Sequence, residues 1–369
     1  MTDQRLYQIG LTMVEGVGDI LARQLLETLG DAECIFRMSR AALAKVPGIG
    51  STLIARLQDP QVLRRAEREL RFIEDNRIYL YYIGDPHYPV RLKECTDAPV
   101  LFYFKGEADL NAAHVLSVVG TRHATPYGME QTERLLTELA TRYPDLLVVS
   151  GLAYGIDICA HRAAVRCELP TVGVLAHGLD RIYPALHRQT AVEMLKRGGL
   201  LTDFPTGTNP DRPNFVRRNR IVAGLAEATL VVESAEKGGS LITADLACSY
   251  GREVFAFPGR VNDHYSAGCN QLIRQNKAAL ITDANSLVEA LRWDVREPSR
   301  SLPQQTQLLF PEGEENGRIL QWLGQRGKAH INEIALAMDI PVSQLAPLLF
   351  ELEMNGQIKS LPGGMYQLI

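Results

Sequence analysis

Val115-Leu116-Ser117-Val118-Val119, followed at once by Gly120-Thr121-Arg122, opens the stretch that decides the fold. A short apolar run ends in a small-residue turn that carries a cation. The pattern returns at Leu146–Ser150, Thr171–Leu175, Ala228–Val232 and Val254–Phe257, with a further run at Ala278–Ile281. Helical patterns lie between these runs, including Tyr127–Tyr143, Ile156–Arg166, His187–Arg197 and Leu241–Tyr250. A strand buried on both faces reads as a continuous hydrophobic run, so this alternation predicts a doubly wound α/β domain with a mostly parallel sheet. Such folds take their ligands beyond the carboxyl ends of the strands.

The residues at those ends are small, polar or cationic. After the second run comes Ser150-Gly151, then Ala153-Tyr154-Gly155-Ile156-Asp157. The third leads to Gly178-Leu179-Asp180-Arg181 and the fourth to Glu233, then Lys237-Gly238-Gly239-Ser240. Turns of this kind entering helices expose backbone amides to phosphate. None is G-x-G-x-x-G, which disfavours a dinucleotide cofactor. Asp157 and His161, one helical turn apart, have the look of an acid–base pair but are read as orienting the Ser150–Gly155 turn.

Between Arg212 and Arg220 the chain places four arginines in nine residues, Arg212, Arg217, Arg218 and Arg220, interrupted by Pro213 and Phe215 and joined by Asn219. An apolar stretch follows, so the cations sit at the start of a predicted helix, where amides and dipole already favour anions. The guanidinium fork fits phosphate oxygens. Acids are sparse nearby in sequence, Asp211 and then Glu227. The cluster is read as a polyanion site, against the alternative of a solvated face. Phe215 either stacks on an unpaired base or packs at the helix start.

The flanks are of a different kind. Gly16-Val17-Gly18 and Gly48-Ile49-Gly50 each precede an amphipathic stretch, a weak repeat resembling helix-hairpin-helix units. Either these turns hold DNA phosphate or their glycines serve only two αα-hairpins. Arg64, Arg65, Arg68 and Arg71 alternate with Glu67, Glu69 and Glu74, predicting a solvated, ion-paired helix face. The predicted division is a helical domain over 1–75, the α/β domain over 76–296, a Pro-rich linker over 297–316 and a winged helix over 317–369. The last has helices near Gly317–Gly324, Ile331–Met338 and Ser343–Met354 before a hairpin. From Glu312 to Ile369 four cations face seven acids, and Ser343–Met354 carries Glu351 and Glu353 without a lysine or arginine. That helix is expected to be a poor partner for duplex phosphates.

The 369 residues carry a net charge of -4, so a nucleic-acid surface has to be a local patch. Six scattered cysteines without a C-x-x-C pair read as reduced cytoplasmic thiols. No metal-ligand spacing occurs among the eight histidines, and no apolar run or signal peptide predicts membrane insertion.

Taken in order, Gly120-Thr121-Arg122, Ser150-Gly151, Gly178-Leu179-Asp180, the arginine cluster, Lys237-Gly238-Gly239-Ser240-Leu241-Ile242-Thr243-Ala244, Phe257-Pro258-Gly259 and Gly268-Cys269-Asn270 closely resemble the DNA-processing protein A (DprA/Smf) family. The resemblance implies an extended Rossmann-like domain that binds incoming single-stranded DNA, dimerises and helps load RecA recombinase during natural transformation, with no established catalytic cycle. It implies phosphate or base contacts at Arg122, Ser150, Gly151, Arg212, Phe215, Arg217, Arg218, Asn219, Arg220, Gly238, Gly239 and Ser240. Ala176, His187 and Gly238 depart from the residues usual there. The alternative is a nucleoside-phosphate N-glycosidase of the lysine-decarboxylase-like family, whose P-G-G-x-G-T-x-x-E signature is matched imperfectly here. Leu241 and Ile242 replace the inner glycine and threonine, and the acid is shortened to Asp245.

Overall fold

The computed structural model describes residues 3–46, 48–293, 315–361 and 364–369. The linker predicted over 297–316 lies, as far as residue 314, outside the described residues, as does Gly363 of the predicted hairpin turn. The chain divides into two compact units, Met1–Asp294 and Val295–Ile369.

The first unit is built on a nine-stranded sheet. In chain order its strands are β1 (Tyr79–Tyr82), β2 (Leu101–Gly106), β3 (Val115–Val119), β4 (Leu147–Ser150), β5 (Thr171–Val174), β6 (Gly199–Thr202), β7 (Ala228–Val231), β8 (Glu253–Ala256) and β9 (Ala279–Leu280). The spatial order is β1-β2-β6-β5-β4-β3-β7-β8-β9. Strands from β6 across to β9 pair in parallel, while β2 joins β6, and β1 joins β2, antiparallel. Every strand predicted from sequence is present within a residue or two. The three not foreseen, β1, β2 and β6, form the antiparallel extension and the strand that carries it.

Alternate residues of the parallel strands feed opposite layers, as the two-residue repeat of a strand requires. Val115 and Val119 of β3 and Leu147 and Val149 of β4 pack with Ile221, Val222 and Leu225 of the helix Arg212–Leu225. Leu116, Val118 and Val148 face the other way, onto Leu135, Leu136 and Leu139 of the helix Pro126–Arg142 and Ala160 and Ala163 of the helix Ile156–Arg166. From β3 the chain winds outward through β4, β5 and β6, then returns to β7 on the other flank of β3. That reversal opens a crevice at the carboxyl ends of β3 and β7.

The N-terminal helices lie against the β1–β2 side of the sheet and are part of the same unit. Leu6, Ile9, Ala66 and Ile73 share one buried cluster with Leu101 and Tyr103 of β2. Both G-x-G turns form as predicted in outline: Gly16 and Gly48 take positive φ, and Gly18 and Gly50 precede the helices Asp19–Leu29 and Ser51–Leu57. The solvated face expected for the helix Pro60–Asp75 is only partly solvated. Arg64, Arg68 and Arg71 are exposed, but Glu69 is buried and accepts hydrogen bonds from the Thr206 amide (3.0 Å) and hydroxyl (2.6 Å). Arg65 bridges Glu69 and Thr206. Helical spacing revealed an i,i+4 pair but not the loop after β6 that covers it.

The second unit has the helices Glu315–Arg326, Ile331–Met338 and Val342–Met354, and strands β10 (Lys328–His330), β11 (Ile358–Leu361) and β12 (Met365–Leu368), ordered β10-β12-β11. Ile319, Leu323, Ile334, Leu345, Leu349, Leu352 and Ile358 form its core. Among the described residues no single helix is long and apolar enough to cross a membrane.

Candidate functional site

The crevice between β3 and β7 is a cleft of about 510 Å³. Its wall comes from the turn after β3 (Gly120, Thr121, Arg122), the turn after β4 (Gly151, Ala153), the first two turns of the helix Arg212–Leu225 (Arg212, Phe215, Arg218, Asn219) and the loop entering the helix Gly239–Ser249 (Lys237, Gly238, Gly239, Ser240). Neither helix start receives a side-chain capping hydrogen bond and neither has an acid in its first turn, although Asp211 stands at the N-cap of the first. Their leading amides and dipoles therefore add positive potential to the cleft. Arg122, Arg212 and Lys237 are exposed and form no ion pair among the described residues. Lys237 heads a motif quoted from the sequence but lies outside the predicted contact set, although a cation directly before a Gly-Gly-Ser turn is a usable signal.

Arg218 forms the floor. It is 3% exposed. Its Nη1 donates to the Val174 carbonyl, and its Nε has no partner among the described residues. The absence of a side chain at Gly151 makes room for it, since a Cβ there would stand 2.0 Å from Arg218 Nη1. Burial lowers the guanidinium pKa to about 10, against the pull of Asp157, and the group remains a cation at neutral pH. Burial raises the Asp157 carboxyl, opposed by Arg218 and by the Ala153 and Gly151 amides. Asp157 thus works on Arg218 and the turn after β4.

Phe215 is half-buried and belongs to none of the buried hydrophobic clusters. Arg122 Cζ lies 4.9 Å from the centre of its ring, and Tyr183 stands at 6.1 Å on a tilt. The ring therefore sits in the cleft wall, between the two environments considered from sequence.

Three residues of the predicted set stand outside the cleft lining. Ser150 is fully buried and its hydroxyl donates to the Val118 carbonyl (2.6 Å). Arg220 is buried against Asp203 (2.6 Å) and Asp19 (2.9 Å), and also donates to the Asp97 carbonyl. Burial opposes its charge, but the two carboxylates outweigh that and raise its pKa. Arg217, half-exposed, reaches the same acids at 3.1 and 3.2 Å. The acids sparse in the local sequence are supplied by distant segments. Asp19 opens the helix after the first G-x-G turn and also accepts from the Val100 amide (3.0 Å), tying that turn to β2 and the arginine helix.

Of the imperfect glycosidase signature, Lys237, Gly238, Gly239 and Ser240 line the cleft, but its acid does not join them. Asp245 is exposed and pairs with Lys277 at 2.7 Å, outside the cleft wall. His161 bonds Thr171 Oγ1 (2.7 Å), and burial pushes its pKa down to about 3, so it is neutral at pH 7. No cluster of potential metal ligands occurs among the described residues.

A doubly wound sheet with an arginine- and amide-lined cleft at its switch point, followed in sequence by a winged helix, defines the class. The chain belongs to the DNA recombination-mediator protein A family, whose model matches residues 79–292, and a DprA winged helix domain model matches residues 303–364. Protein Smf of Escherichia coli is 37% identical over 310 residues, covering 82% of this chain and 80% of the relative. Protein Smf of Synechocystis is 30% identical over 400 residues, covering 99% and 98%. The X-ray structure of DNA processing protein A from Streptococcus pneumoniae is similar with a TM-score of 0.62 and 28% identity, over 78% of this chain and 98% of that one. A Helicobacter pylori DNA processing protein A structure, reported for its single-stranded DNA binding mode, is similar with a TM-score of 0.53 and 27% identity, over 59% and 97%.

Proposed function

We propose that this protein binds single-stranded DNA without sequence specificity in the cleft between β3 and β7, protects it, and hands it to RecA recombinase as a homodimer in the cytoplasm. The observation that carries the reading is the gathering of Arg122, Arg212, Lys237 and buried Arg218 with two uncapped helix starts in one cleft. Cations and amides touch phosphate, which every sequence presents alike. The Helicobacter pylori relative, reported to bind single strands, supports the same ligand here. Its role is binding, with no catalytic step.

Labelled oligonucleotides test this directly. Single strands are expected to bind more tightly than blunt duplex of equal length, because Phe215 requires an unstacked base. Equal or tighter duplex binding contradicts the reading. Light scattering at micromolar protein is expected to return a dimer mass, and a concentration-independent monomer removes the homodimer from the proposal. Phe215→Ala is expected to cost about 1–3 kcal/mol of single-strand affinity with an unchanged salt dependence, because stacking releases no counterions. A melting temperature that falls together with affinity would make Phe215 a packing residue instead.

A further inference from the structure

A second cavity, of about 890 Å³, opens beside the cleft on the other side of the turn after β3. Thr121 and Arg122 line the cleft while Thr125 and Tyr127 line the cavity; likewise Ala235 and Lys237 line the one and Glu233 the other. A strand held by its phosphates in the cleft has only to cross this short ridge to reach the cavity.

The cavity is built. Tyr127 Oη donates to the Pro258 carbonyl (3.1 Å), the Tyr265 carbonyl accepts from the Ser234 amide (2.7 Å), and Asn270 pairs with Gly259 (3.0 and 3.2 Å). His264 and Tyr265 meet edge to face at 4.8 Å, and His123 stacks on Tyr265 from the ridge at 6.2 Å. Aromatic walls of this kind accept a flat ring.

Glu233 sets the chemistry. It is 3% exposed, yet makes no ion pair among the described residues. Among the described residues its carboxylate accepts only from Thr125, through the amide (2.9 Å) and the hydroxyl (2.5 Å). Gly128 leaves it space, since a Cβ there would lie 2.2 Å from Oε2. A buried carboxylate without a cation is costly, and each oxygen retains lone-pair capacity for another donor. Arg260, in the lining of the same cavity, is exposed and forms no ion pair among the described residues. Guanine is the base with adjacent N–H donors on one edge for a carboxylate and O6 and N7 acceptors on another for an arginine fork.

We propose that this cavity is a guanine subsite, in which Glu233 accepts from the base N–H groups, Arg260 donates to O6 and N7, and Tyr265 lies against the ring. The subsite rests on the single-strand reading above: the cleft holds any strand by its phosphates, and the subsite adds a local preference for guanine without requiring it.

The test uses the full chain and a thymidine 20-mer background carrying isolated deoxyguanosines, against the same strand with deoxyinosines, which lack the 2-amino group, and against thymidine alone. The guanine strand is expected to bind about tenfold tighter than the thymidine strand, with inosine between. Glu233→Gln is expected to cut that difference to about twofold, the Arg260 contacts remaining, and to leave thymidine-strand affinity unchanged. Should Glu233→Gln fail to fold, Arg260→Ala on the exposed side is expected to reduce the guanine preference in its place. Equal wild-type affinity for all three strands overturns the subsite while leaving single-strand binding intact; failure to bind any strand overturns the proposed function instead. Titration with dGMP and dTMP separates the sources: Glu233-dependent dGMP binding without a strand preference would show that the guanine comes from a free nucleotide and overturn its place on the strand.

Discussion

Arg220→Ala is expected to cost about 3–5 kcal/mol of folding stability while leaving the salt dependence of DNA binding close to wild type. The side chain is 8% exposed and sits between Asp203, 1% exposed, and Asp19. Removing it leaves a buried carboxylate whose Oδ1 already lacks a partner among the described residues. Arg217 still reaches Asp203 at 3.1 Å, which places the loss at the lower end of that range. The same contact pins the first G-x-G turn to the α/β domain, so the helical segment should loosen with it. Urea unfolding checks this through a lowered midpoint at unchanged m-value. A variant as stable as wild type but with a flattened salt slope would instead place Arg220 on phosphate.

The opposite outcome is expected at the neighbouring arginine. Arg218→Met is expected to lower stability, because it takes the cation away from buried Asp157, yet to keep the fold, since the Gly151 and Ala153 amides still bond that carboxylate. It is expected to lose about 2–5 kcal/mol of single-strand affinity, the usual consequence of truncating a desolvated charge contact. Gly151→Ala reaches the same group by another route, since its Cβ would stand 2.0 Å from Nη1 and drive the guanidinium off the cleft floor. Both variants should lose affinity by filter binding or anisotropy while melting cooperatively. Wild-type affinity in a folded Arg218→Met protein would reduce Arg218 to a packing residue.

The contrast between these two arginines shows where sequence reading stops. Arg218 and Arg220 share a helix and a charge cluster, and lie two residues apart on a rod that turns about 100° per residue. That rotation alone aims one at the cleft and the other toward Asp203 and Asp19 on a separate side. Asp19 is 201 residues away, and no local charge count includes it. The parallel strands were legible because burial on both faces leaves unbroken apolar runs such as Val115–Val119. β1 and β2 were not, since Tyr79–Tyr82 and Leu101–Gly106 are aromatic stretches whose role depends on an antiparallel partner. The turn glycines were legible as turns; that Gly151 houses a guanidinium and Gly128 a carboxylate emerges only from the packing.

The central claim is that phosphates lie along the cleft between β3 and β7. The most direct measurement is the salt dependence of single-strand affinity for wild type and the Arg122→Ala/Arg212→Ala double variant. Both side chains are exposed and form no ion pair among the described residues, and the contact of Arg122 with the Phe215 ring lies in the cleft wall, so their loss should not unfold the protein. Each single-strand phosphate contact contributes about 0.7 to the slope of log affinity against log salt, so the double variant should flatten it by roughly 1.4 on every sequence tested. An unchanged slope in a folded double variant would mean that the DNA lies elsewhere.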